Sequence, residues 1–127
     1  MAIRKTAKVR ARKTAKPAAD SFLRFRNVVK KIPRGRVMTY GDLAVAAGMP
    51  GAARAAGRAM WAMGPGVPWQ RVLGRKDARR AHITNERGKV EQRRLLDKEG
   101  VKFDAGGGVR LADYGFMPGR HAKVSRK

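Results

Sequence analysis

Apolar residues recur at Phe22, Phe25, Val28, Val29 and Ile32. Steps of three and four predict one buried face of a helix, capped by Asp20 or Ser21 and running through Lys31. Pro33 stops that helix and Gly35 supplies a turn. Val37–Met38 then reads as a short extended piece. Thr39 can cap a second helix, which Gly48 closes. Pro50 and Gly51 make a tight connection to a third helix, reaching about Met63. Its small residues are Ala52, Ala53, Ala55, Ala56, Gly57 and Ala59. Gly64, Pro65, Gly66 and Pro68 form a loop running into Trp69–Leu73, and residues 74–84 read as polar and basic. Val90, Leu95 and Leu96 mark a further helix over Glu86–Glu99, closed by Gly100. Val101–Asp104 and Val109–Leu111 suggest a hairpin across Gly106–Gly108. The pattern is mainly α with minor β.

Charge changes what this small fold is expected to meet. The 127 residues carry 31 Lys+Arg against 9 Asp+Glu, a formal +22. Such an excess implies a polyanionic partner, with nucleic acid ahead of an anionic membrane surface. Residues 1–19 hold seven basic residues and no acid, and 117–127 hold four more (Arg120, Lys123, Arg126, Lys127). These segments are expected to be a disordered basic tail and a basic C-terminal tail, flanking a DNA-binding domain over 20–116. That body keeps 20 basic residues against all nine acids, so it is basic in its own right. The N-terminal tail reads equally as a solvated segment or as a non-specific DNA tether.

Composition also closes several routes. There is no cysteine, so disulfides, thiolate metal sites and cysteine nucleophiles are excluded together. With only His82 and His121, no metal site is expected, and no cofactor. No apolar run reaches the roughly 18 residues of a membrane span, and no secretory signal is visible. Neither membrane association nor secretion is expected.

Two short helices joined by a glycine-containing turn are the helix-turn-helix pattern. On the second of them Arg54 and Arg58 project from a helix of small residues, which would let its backbone approach a duplex closely. The same periodicity fits a plain helical hairpin in a core. The charge favours DNA.

Three motifs then point to a family. Residues 32–44, Ile-Pro-Arg-Gly-Arg-Val-Met-Thr-Tyr-Gly-Asp-Leu-Ala, resemble the IPxGxVxTYGxLA segment of O6-alkylguanine-DNA alkyltransferases. Residues 51–60 resemble their recognition helix. Val67-Pro68-Trp69-Gln70-Arg71-Val72-Leu73 is similar to their active-site segment, IPCHRV. The resemblance spans about 21–116 and implies a winged-helix-like alkyltransferase C-terminal domain that meets the minor groove.

The departures from the pattern matter most. Trp69 stands where the enzymes keep the alkyl-accepting cysteine, and Gln70 where they keep the histidine that activates it. An indole is no nucleophile and a neutral amide is no base. The PWQRV form resembles the alkyltransferase-like proteins, which implies binding of alkylated DNA without dealkylation.

By this resemblance Tyr40 rotates the 3′ phosphate and turns the target nucleotide out. Arg54 enters the stack and pairs with the orphaned cytosine, replacing interactions whose loss costs a few kcal/mol. Thr39, Ala52, Ala53 and Arg58 complete the DNA-binding set. Trp69 lines the alkylguanine pocket, Val67 and Pro68 shape its floor, Gln70 borders it and Arg71 fixes the loop by hydrogen bonding. Gly64 stands near the family's hinge asparagine. In the 75–84 loop, Arg79, Arg80 and His82 are the candidates for touching the lesion. Met60 reads as core and Trp61 as either core or surface. The acid that would hold the enzymes' histidine is sought around Glu91 to Arg93, where none is clearly supplied.

The expected partner is double-stranded DNA with an alkylated guanine, followed by nucleotide excision repair proteins. A monomer in the cytoplasm, associated with the nucleoid, is expected. The rival reading is a general helix-turn-helix or architectural DNA-binding protein with no lesion preference.

Overall fold

The structure, a computed structural model, describes residues 20–64 and 66–118. The expectations for residues 1–19, and for the C-terminal tail beyond Pro118, lie outside the described residues.

Helix α1 covers 20–29 and unwinds into a turn at 30–31, two residues before the predicted end. Strand β1 (Met38–Thr39) leads directly into α2 (Tyr40–Ala46), and α3 is Ala53–Trp61. A 3-10 turn over Trp69–Arg71 feeds β2 (Val72–Arg75), followed by β3 (Arg80–His82), α4 (Lys89–Lys98), β4 (Gly108–Arg110) and α5 (Leu111–Tyr114). The four strands form one sheet in the order β1-β2-β3-β4. The first pair is parallel, with Met38 opposite Val72, and the other two are antiparallel.

The helix-turn-helix is built by local chemistry. The Thr39 hydroxyl accepts from the Asp42 amide at 3.1 Å and so caps α2. Gly48, at φ +82°, reverses the chain after α2, and the Met49 amide donates to the Ala44 carbonyl at 2.8 Å.

Period-two alternation then divides the core in two. Met38 and Val72 join the buried faces of the first three helices, where Phe25, Val29, Ile32, Leu43 and Ala56 also sit. Their chain neighbours Val37 and Leu73 point the other way, to Ala81, Leu96, Val101 and Val109. The sheet is therefore a partition with the helix-turn-helix on one side and α4 on the other.

Three expectations need correction. The polar stretch 74–84 contains the β2–β3 hairpin. Asp77 makes its turn by accepting from the Arg79 and Arg80 amides, each at 2.9 Å. Val101–Asp104 is not a strand. The Asp104 carboxylate instead gathers the Gly106 and Gly108 amides into a tight turn, and β4 pairs with β3. Helix α4 starts at Lys89 rather than Glu86, because Asn85 accepts from the Gly88 amide at 3.1 Å and holds 85–88 as a turn. Val90, one of the apolar residues that mark this helix, is 77% exposed. Gln92, two residues on and one turn before Leu96, takes the buried position.

Candidate nucleic-acid interface and base pocket

Helix α3 presents Arg54, Arg58 and Trp61 at spacings of four and three, which places them on one side of the helix. All three are exposed, whereas Ala56 is fully buried against the core. Neither Arg54 nor Arg58 has a hydrogen-bonding or ionic partner among the described residues. Two guanidinium groups are thus presented on the outward face of the second helix of a helix-turn-helix. Ala52, at the N-cap, and Ala53 are half-buried where that helix begins. Their small size keeps this end of the backbone accessible to a large partner.

Beside this face lies a cavity of about 560 Å³. Tyr40 of α2 borders it, as do Gly57, Met60 and Trp61 of α3, with Met63 just beyond. Trp69 and Val72 border it from the 3-10 turn and β2, and Gln92 from α4. The segment Thr84–Gly88 completes the wall. Such a space suits a planar heterocycle, since two indoles and a phenol offer stacking surfaces.

Burial raises the Tyr40 pKa, and a hydrogen bond with the Thr84 side chain offsets part of that rise. The hydroxyl is therefore protonated at neutral pH and able to donate to an anion.

The loop carrying Trp69 is braced from behind. Arg71 donates through Nε to both Glu99 oxygens at 3.0 and 3.1 Å, through one terminal nitrogen to Glu99 Oε2 at 3.1 Å, and through the other to the Ile32 carbonyl at 2.7 Å. Gln70 Nε2 donates to Glu99 Oε2 at 2.7 Å, and the Gly35 amide to Oε1 at 2.8 Å. Burial alone would raise the Glu99 pKa. The donors Arg71, Gly35 and Gln70 outweigh it, so the net direction is down. Gln92 Nε2 adds bonds to the Gln70 and Val72 carbonyls at 3.1 and 3.0 Å.

Of the residues singled out in the sequence, Tyr40 and Trp69 meet in this cavity. Thr39 is buried as a helix cap rather than presented on the surface. Val67 is buried in the first core cluster, and neither it nor Pro68 is among the lining residues. Gln70 and Arg71 are turned toward Glu99, away from the lining. The candidates Arg79, Arg80 and His82 do not line the cavity either. Arg80 is tied to Asp77 and Asp104, and His82 borders a different hollow with Phe103 and Arg93.

Three features escaped the sequence reading. The acid behind the loop is Glu99, at the C-cap of α4, not a residue near Glu91. The wall residues Asn85 to Gly88 lie just past the loop considered. Trp61 shares the arginine face of α3, and its spacing from Arg54 and Arg58 was the available signal.

A family model described as "6-O-methylguanine DNA methyltransferase, DNA binding domain" matches residues 20–101. The chain belongs to this family. Within it, similarity reaches a "DNA base-flipping protein" of Vibrio parahaemolyticus, 33% identical over 101 residues that cover 72% of this chain and 90% of the relative. Alkyltransferase-like protein 1 of Schizosaccharomyces pombe is 35% identical over 86 residues, 66% of this chain and 79% of that protein. Among solved structures, S. pombe Atl1 in complex with damaged DNA containing O6-carboxymethylguanine superposes with a TM-score of 0.65 at 31% identity. That match covers 79% of this chain and 97% of the other. The mainly helical architecture with a small sheet is thus the fold of the methyltransferase DNA-binding domain. The family is named for methyl transfer, yet this member has no cysteine anywhere in its sequence.

Proposed function

We propose that this protein binds duplex DNA, turns an O6-alkylated guanine out of the stack into the cavity, and holds it there without removing the alkyl group. One observation carries the reading: a base-sized cavity bounded by Tyr40, Trp61 and Trp69 opens beside the exposed arginines of the helix-turn-helix. The names and the damaged-DNA complex of the relatives support it. Trp69, in the acceptor's place, offers stacking area and no nucleophile. Arg54 fills the vacated stack. The bound complex is then a flag for nucleotide excision repair, formed by a monomer at the nucleoid.

The test is competition between duplexes carrying guanine or O6-methylguanine at one site, at fixed salt. Tighter binding of the alkylated duplex is expected. Equal affinities would sink the lesion reading and leave a general DNA-binding protein in its place.

Arg54→Ala is expected to weaken binding to alkylated DNA by about 1–3 kcal/mol, the range for losing one well-placed base contact. A fluorescent base analogue at the target reports flipping, and its signal should fall. An unchanged signal would reduce Arg54 to a phosphate contact. Because Arg54 is exposed, the variant should keep the wild-type melting temperature.

A further inference from the structure

On the side of the sheet away from the helix-turn-helix lies a second hollow, of about 430 Å³, between α4, the end of β3 and the glycine turn before β4. Ile83 and Phe103, packed against the second core cluster, give it an apolar floor. Val90 borders it from α4 and is 77% exposed. Gly106 and Gly107 also line it, and their lack of side chains lets another backbone come close there.

The charges around this hollow are of one sign. Lys89 and Arg93, one turn apart on α4, border it, and no carboxylate among the described residues does. Lys89 meets Glu86 at 3.5 Å, a pair between exposed side chains that holds it weakly. Arg93 gives its Nε to Asp97 at 3.2 Å, and its guanidinium lies over the Phe103 ring, 4.0 Å from the centroid. That contact uses the π face and no N–H, so the terminal donors of Arg93 stay available beside the apolar floor.

We propose that this face of α4 is a docking surface for an acidic segment of another protein. The segment seats a large apolar side chain against Ile83, Val90 and Phe103 and gives carboxylates to Lys89 and Arg93. Charge selects this occupant. A second copy would bring the same cations to the contact. Residues 1–19 and 117–127 of this chain carry seven and four basic residues and no acid, so they too are repelled. A duplex would answer the cations and leave the apolar floor unused. The sheet separates the hollow from α3, so a duplex held by Arg54 and Arg58 leaves it open. The assignment goes beyond the lesion reading and does not depend on it.

In the experiment, short random peptides displayed on phage are selected on the full chain bound to an unmodified duplex, at fixed salt. Enriched peptides should place Asp or Glu on both sides of Phe, Leu or Trp. One of them, made synthetically, should bind Val90→Asp and Arg93→Gln about tenfold more weakly than wild type, the lower end for a hydrogen bond to a charged group. Arg93→Lys should recover part of the loss, because the charge returns without the fork. Val90 and Arg93 are exposed, so all variants should keep the wild-type melting temperature and the wild-type affinity for the duplex. No enrichment, enriched peptides without acids, or binding indifferent to both positions would overturn the assignment. So would displacement of the peptide by added duplex together with weaker duplex binding by Arg93→Gln, which would make this face a nucleic-acid contact. A dimer of the wild type that Val90→Asp dissolves would make it an interface between copies and overturn the assignment equally. Because the duplex carries no lesion, these outcomes are separate from the fate of the O6-alkylguanine reading.

Discussion

Replacing Glu99 by alanine is expected to lower the free energy of unfolding by about 3–5 kcal/mol, the range for removing one partner of a buried ion pair. The Glu99 side chain is 4% exposed and that of Arg71 16%. Removing the carboxylate leaves Arg71, Gln70 and the Gly35 amide without their shared acceptor. The loss should appear as a shifted midpoint in urea with little change in slope. The same carboxylate gives a pH signature. Its folded pKa lies below the unfolded value of about 4.3. Its contribution is therefore complete above that value and fades as the pH falls through the folded pKa. Wild type should lose stability more steeply than Glu99→Ala in that acid range. Identical midpoints for the two proteins at neutral pH would show that Arg71 finds water or another acceptor at no cost.

The second large effect concerns alkyl transfer to a cysteine, a residue that the sequence does not contain. Trp69→Cys alone should accept a labelled methyl group from O6-methylguanine DNA only in traces. Gln70 cannot take the thiol proton, and an unassisted cysteine of pKa about 8.5 is only a few per cent thiolate at neutral pH. Adding Gln70→His changes this, because the acid that would orient an imidazole is already present. Glu99 Oε2 lies 2.7 Å from Gln70 Nε2. The double variant should transfer at least about 100-fold faster than Trp69→Cys, the lower range for a positioned general base. Adding Glu99→Gln should remove most of that gain. Label on the wild-type protein would overturn the non-enzymatic reading outright. Equal rates for the single and double variants would show that some other group activates the thiol.

Much of this arrangement is legible in the chain because it is set locally. Thr39 caps and Gly48 stops, each acting within four residues, so the helix-turn-helix can be read without tertiary information. Tyr40, Arg54 and Trp69 follow from motifs whose spacing is fixed along the chain. Glu99 was missed because its partners Arg71 and Gln70 are 28 and 29 residues away. Only the packing of α4 on the 3-10 turn brings them together. The wall at 84–88 was missed because it is a turn, and neither apolar period registers one. The pairing of β4 with β3 was hidden for a related reason: Asp104 draws in its own downstream amides, which takes residues 101–104 out of the competition for a strand partner.

The cavity also has an optical consequence. The chain contains two tryptophans in all, and both border this one space, Trp61 exposed and Trp69 half-buried. Tryptophan emission from the protein therefore originates entirely at the place where a base would arrive. A heterocycle stacking on either indole would quench that light, and displacement of the Arg87 guanidinium, 4.9 Å from the Trp61 ring centroid, would shift its colour. Occupancy of the cavity is thus readable in unlabelled protein on unlabelled DNA. Trp61→Phe and Trp69→Phe then assign the signal to one wall or the other.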